Sequence, residues 1–267
     1  MGDWWDRRLF VLDLETTGVD VRADRIVTVA FGHVGGGQPS SVVEMVVAPD
    51  GFTIPAEAEA VHGFSTERAL EEGAPLVDVL EQVKRTFDDR RADEVLVVFN
   101  ARFDVSLLTA EFQRTGVETP DVTSRIVDPL LLDRWLDRFR KGKRTLESMC
   151  AHYNVRLESA HSGRHDAIAA ARLAWVLGRR GEVVRQVRDE RDGRELAGLK
   201  RQWEWVRRDP VRLHELQIVL AVEQAEGLER FFRAGDPARG IVPQPDAVVD
   251  RDWPLIRAAE TARNVVD

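Results

Sequence analysis

The order of elements along the chain predicts an α/β fold, a mixed sheet covered by helices. Two observations predict it: three β-rich runs come first, and β and helical patterns alternate after them. The first three runs are Leu9 to Leu14, Ile26 to Phe31 and Val42 to Val47; the last two are separated by GGGQPS, a turn composition, so the three form a meander. Pro75 to Asp88 then has helical spacing, with proline in the first turn where a missing N–H costs little. The continuous apolar run VLVVF, Val95 to Phe99, has the character of a buried strand. After it come a helix at Phe103 to Thr115, a short strand at Arg125 to Val127, and helices at Pro129 to Arg138, Thr145 to Tyr153 and Gly163 to Gly178.

Residues 1–180 carry this alternation, and residues 181–267 are expected to form a helical C-terminal extension. Beyond Arg180 the chain becomes charged and helix-like, including DERDGRELAGLK. In DPVRLHELQIVLAVEQAEGLERFF, Asp209 is the expected cap and Pro210 the first helical residue. Ile218, Ala221, Val222, Ala225, Leu228 and Phe232 recur at helical spacing and predict one buried face. Packing onto the rest of the chain is the first expectation for this tail; a polymerase or a second copy of the chain docked on it is the alternative. Trp203 and Trp205 stand two apart, so a helix presents at most one of them to a given contact.

At 267 residues, 43% hydrophobic and 31% charged, the composition is that of a globular protein with a substantial core. No apolar run is long enough to span a bilayer, and MGDWWDRR lacks the basic-then-apolar pattern of a secretion signal, so a cytoplasmic protein without membrane contact is expected. Cys150 is the single cysteine and makes neither an internal disulfide nor a structural zinc site. The net charge of −8 argues against coating nucleic acid by charge alone, which needs many Lys and Arg contacts to phosphate. A local carboxylate cluster holding divalent metals still attracts phosphates.

The stretch FVLDLETTGVD, Phe10 to Asp20, sets Asp13 and Glu15 within an apolar strand. Strand side chains alternate, so Leu12 and Leu14 share one face and the two carboxylates the other. A buried unpaired carboxylate costs several kcal/mol, roughly, and a second beside it adds repulsion, so basic side chains or metal ions must compensate. Functional groups of α/β sheets collect at one end of the strands, and two further acids open helices there. Asp104 follows the VLVVF strand in Asn100-Ala101-Arg102-Phe103-Asp104, and Asp166 opens the Gly163 helix with His161 five residues ahead.

Taken together these residues resemble the DEDDh exonucleases, the DnaQ-like family that includes the proofreading subunit of bacterial DNA polymerase. DLETTG at Asp13 to Gly18, NARFD at Asn100 to Asp104, and His161 followed by Asp166 match its three motifs over roughly residues 5 to 180. The segment EAEAVHGFS is similar as well, which implies Glu57 and His62 as substrate contacts. Phe99 stands where the family often has histidine, and Gly163 replaces a commoner alanine. Ser162 occupies the place of the sister subgroup's tyrosine, which favours the histidine subgroup; His165 is left structural.

The resemblance implies a ribonuclease H-like five-stranded sheet and 3′–5′ removal of nucleoside 5′-monophosphates from single-stranded 3′ ends. DNA is the expected substrate, with RNA as the alternative, as in ribonuclease T or oligoribonuclease. Two rival functions are an inactive nuclease-fold binding subunit and a phosphohydrolase for small nucleotides. The four acids would hold two Mg²⁺ or Mn²⁺ ions, whose preference for hard oxygens suits carboxylates. Asp13 would bridge the ions, Glu15 and Asp166 would complete the first site, and Asp104 the second. His161 would be the general base, since histidine accepts a proton near neutrality. Thr16 and Thr17 would position the terminal nucleotide, Phe103 would pack on a base, and the basic run RFRKGKR, Arg138 to Arg144, would touch upstream phosphates.

Overall fold

The computed structural model describes residues 2–138, 140–183 and 201–256. The expected charged stretch 189–200 lies outside them. Strands β1 (Arg8–Thr16), β2 (Ile26–Gly35) and β3 (Ser41–Val46) form the antiparallel meander. Strands β4 (Leu96–Val97) and β5 (Ile126–Val127) add to β1 in parallel, giving the order β3-β2-β1-β4-β5. The helices are α1 (Ala56–His62), α2 (Thr66–Glu72), α3 (Leu76–Asp88), α4 (Ala101–Thr115), α5 (Pro129–Leu136), α6 (Leu146–Tyr153), α7 (Gly163–Val183) and α8 (Pro210–Ala234). Among the described residues no helix is long and apolar enough to cross a membrane.

Strand alternation sorts β1 between two cores. Phe10, Leu12 and Leu14 pack with Val79, Leu80 and Val83 of α3 and Val105 and Leu108 of α4. Leu9 and Val11 pack on the other side with Ala167, Ala170, Ala171 and Ala174 of α7. The alanine methyls let that helix lie close to the sheet, and each buried Leu or Phe is worth about 1.5–3 kcal/mol. Asp13 and Glu15 continue the Leu9 and Val11 side, so they face the start of α7. β1 runs two residues further than its apolar run suggests, and Glu15 therefore belongs to the strand.

The C-terminal helix covers the sheet edge at β5 with side chains in place of a sixth strand. His214 Nδ1 accepts the Ile126 N–H at 3.3 Å. Gln217 is wholly buried: its Nε2 donates to the Ile126 carbonyl at 2.7 Å and its Oε1 accepts the Asp128 N–H at 2.8 Å. An open strand edge invites pairing with another chain, and this arrangement closes it. Asp209 caps α8 by accepting from Val211 and Arg212, as expected.

Two expectations need correction, and two helices were missed. Of the expected face of α8, Ala225 is buried and Ala221 packs on the core, but Ile218 and Leu228 are exposed, and Leu213, Leu216, Gln217 and Leu220 make most of the buried face; the helix is apolar on several sides, so spacing did not single out the face that β5 and α5 cover. In the basic run, Arg140 and Arg144 are not free for phosphate: both bind the fully buried Asp133, at 3.1 and 2.7 Å, beside Tyr153. The seven-residue helices α1 and α2 were not foreseen, being too short to show a clear period. Trp203 and Trp205 do divide, Trp203 stacking on Trp5 with centroids 5.6 Å apart while Trp205 stays half exposed.

Candidate active site

Four chain segments meet at the C-terminal end of β1. Asp13 and Glu15 come from the strand itself. Asp104 comes from the first turn of α4, entered through Asn100 in the left-handed conformation that Asn tolerates, φ 57°. Its Oδ1 accepts the Leu14 N–H at 3.0 Å, which ties the second motif to the strand between the two acids of the first. Asp128, 2% exposed, holds the same turn from below by accepting the N–H groups of Asn100 and Ala101 at 3.1 and 3.0 Å.

Asp166 sits in the first turn of α7, and its Oδ2 accepts the backbone N–H of His161 at 3.1 Å. His161 is exposed and takes φ 60°, so the loop arches back over the helix start. Carboxylate oxygens of Glu15 and Asp166 and a ring nitrogen of His161 lie within 4.8 Å of one another. His165 turns away, its Nε2 lying 3.7 Å from Glu158.

Burial and mutual repulsion push every one of these acids upward. Asp13 is held well above the ordinary carboxylate range by burial and then by the charges of Asp104, Glu15, Asp166 and Glu44. Burial raises Asp104 too, against the opposing hydrogen bond from Leu14. Burial, then Asp166 and Glu44, lift Glu15 to about 7; burial lifts Asp166 to about 6 despite the His161 N–H. The main influences on Asp13, Glu15 and Asp104 are burial and other acids rather than lysine or arginine, and His161 and His165 offset only part of the rise at Asp166. Of the two compensations open in the sequence, cations fit this cluster better than basic side chains. Asp166 Oδ1 is buried without a hydrogen-bond partner, as a hard oxygen awaiting a cation is expected to be.

The other residues expected at the site have varied surroundings. His62 is buried near Thr16 and His161; its Nδ1 accepts the Phe64 N–H at 3.2 Å, and its Nε2 has no partner. Burial lowers its pKa. Glu57 is exposed in the first turn of α1. The Thr16 hydroxyl donates to the Gly18 carbonyl at 2.7 Å and that of Thr17 to Asp24 at 2.7 Å, so both shape the loop after β1. Phe103 is half-buried against the α3 and α4 side of the core.

Sequence reasoning missed Glu44 and Asp128. The first carried the same signal as Asp13, an acid inside an apolar strand. The second stands before Pro129 as a helix cap, accepting the Leu130 N–H at 2.9 Å.

Known proteins resemble this chain in sequence and fold. The family described as Exonuclease (RNase T) matches residues 10–174. The PolC-type DNA polymerase III of Listeria welshimeri is 30% identical over 172 residues, 64% of this chain and 11% of that protein. The chain thus spans about a tenth of the length of this relative. Escherichia coli Exonuclease I in complex with a dA16 oligonucleotide superposes with a TM-score of 0.56 at 16% identity, covering 65% of this chain and 41% of that one. The nuclease domain of 3′hExo, a DEDDh family member bound to rAMP, gives a TM-score of 0.57 at 13% identity, covering 67% and 96%. With the family matched over most of the chain and its fold reproduced, the chain belongs to the DEDD family of 3′–5′ exonucleases, of the RNase T and DnaQ-like kind.

Proposed function

We propose that the chain shortens single-stranded DNA from its 3′ end, releasing nucleoside 5′-monophosphates, with Asp13, Glu15, Asp104 and Asp166 holding two Mg²⁺ or Mn²⁺ ions. The observation that carries this reading is the meeting of four carboxylates beside His161. Asp13 lies between the Glu15 and Asp166 side and the Asp104 side, which suits it to serve both ions. When bound, such ions supply an activated water and stabilise charge developing on the phosphate and the leaving oxygen.

The chain's own groups do the rest. His161 takes the proton of the attacking water, held in place by its N–H to Asp166, and its exposure lets it pass the proton to solvent. His62 and the backbone of Thr16 and Thr17 form the wall for the terminal nucleotide, with Glu57 at its outer rim. Phe103, adjacent to Asp104, offers a half-buried ring for the last base to stack on. DNA is favoured over RNA by the PolC-type relative, a DNA polymerase, and by the Exonuclease I structure with dA16.

The test is incubation of 5′- and 3′-labelled single strands of DNA and RNA with magnesium, manganese or chelator, beside Asp13→Ala and His161→Ala. Stepwise shortening of the 5′-labelled DNA and early release of labelled mononucleotide from the 3′-labelled DNA are expected, in metal only. Shortening in chelator, degradation from the 5′ end, or variants as fast as the parent would contradict the reading.

A further inference from the structure

We propose that Glu44 is a fifth carboxylate of the cation centre, a positioning residue that draws the ions toward the Asp13 and Asp166 side. The inference rests on the four acids being cation ligands. It follows first from sheet register. Asp13 pairs with Ala30 and Ala30 with Glu44, so the three stand in a row across β1, β2 and β3 on the face that α7 covers. The residue between the two acids is an alanine, whose methyl leaves them in view of each other.

A second feature opens the same space from above. A Cβ built on Gly163 would lie 3.0 Å from Glu44 Oε1, 3.2 Å from the Ala30 methyl and 3.5 Å from Asp13 Oδ2. Both carboxylates thus approach one point under the first turn of α7, three residues before Asp166. Glycine at 163 keeps that point free of a methyl. The third feature is Glu44 Oε1 itself: the residue is half-buried, but this oxygen is buried and without a hydrogen-bond partner. A glutamate near a sheet edge ordinarily turns its head to water.

The groups around Glu44 do not supply the missing partner. Arg68 feels its charge, but that guanidinium donates to Glu72 at 2.9 Å and to the Gly63 carbonyl at 3.2 Å. On the site side the charge of Glu44 acts on Asp13, Glu15 and Asp166. An orphaned carboxylate oxygen held among acids, with space before it, has the chemistry of a ligand to a hard divalent cation or to its hydration shell.

The experiment is Mn²⁺ titration by calorimetry of the full chain, Glu44→Gln and Asp13→Ala, with thermal melts in chelator. Glu44→Gln is isosteric and removes one repelling charge. It is expected to bind Mn²⁺ about tenfold more weakly while melting in chelator at or above the parent's temperature. A Mn²⁺ affinity equal to the parent's, with Asp13→Ala defective, overturns the role of Glu44 and leaves the four-acid centre standing. Normal binding by both variants overturns the centre and Glu44 with it. A Glu44→Gln protein that melts lower in chelator marks Glu44 as a structural group and likewise overturns the proposal.

Discussion

Removing divalent metal is predicted to make the stability of this protein fall as pH rises through the weakly acidic range, the reverse of ordinary acid denaturation. Glu15 has an ordinary value of 4.5 and stands at about 7 in the fold; Asp166 goes from 3.8 to about 6. An acid whose pKa is raised by folding binds its proton more tightly in the native state. Its contribution is whole below the unfolded value and is lost as pH climbs through the folded one. At about 1.4 kcal/mol per pH unit of displacement, Glu15 alone accounts for roughly 3 kcal/mol between pH 4.5 and 7. Asp166 adds a loss of the same sign between 3.8 and 6, not simply additive because the two carboxylates repel each other. The assay is urea unfolding in chelator at about pH 5 and about pH 8, repeated with excess Mn²⁺. The expected result is a midpoint lower at the higher pH, recovered by the metal, because a ligand bound only by the native state adds stability. A midpoint independent of pH in chelator, or one that rises, would refute the reasoning that these acids are buried and uncompensated.

Other consequences follow from particular contacts. His161→Ala should lower kcat about 10²–10⁴-fold with little change in KM, the range for loss of a general base, as steady-state rates on labelled DNA will show. Gln217→Ala leaves the Asp128 N–H and the Ile126 carbonyl without the bonds they now make and should cost about 2–4 kcal/mol in urea unfolding; a loss under about 0.5 kcal/mol would mean that water replaces the amide. Gly178→Ala would set a Cβ 2.8 Å from the Trp5 ring and should destabilise by about 1–3 kcal/mol. Lys141→Ala with Lys143→Ala should weaken single-strand binding and flatten its salt dependence without changing the melting temperature; Asp133→Ala, by stranding Arg140 and Arg144, should cost about 3–5 kcal/mol.

The acids of β1 were legible because strand alternation is a local rule: Asp13 and Glu15 had to share a face, and burial made their charge conspicuous. Asp104 was legible as an acid opening a helix after a strand, and Asp166 as one opening a helix after a loop. Glu44 has the same local pattern, yet its meaning depends on register across two strand pairs, which no window of sequence carries. Gln217 and His214 were missed for a related reason. Polar residues in a helical pattern point to solvent by default, and only an unpaired strand edge opposite them reverses that. The basic run misled because charge in a loop does not reveal an acid such as Asp133 buried beneath it. VLVVF was rightly read as a buried strand, although its regular ladder shrinks to Leu96 and Val97, with Val95 and Val98 making single bonds beyond it.

The account turns on whether the acids of β1, α4 and α7 cage cations. Manganese-soaked crystals measured at the metal's absorption edge test this most directly. Two anomalous peaks are predicted, both touching Asp13, one also beside Glu15 and Asp166 and the other beside Asp104. Crystals that diffract well and show no peak there, or show manganese bound only elsewhere on the surface, would contradict it.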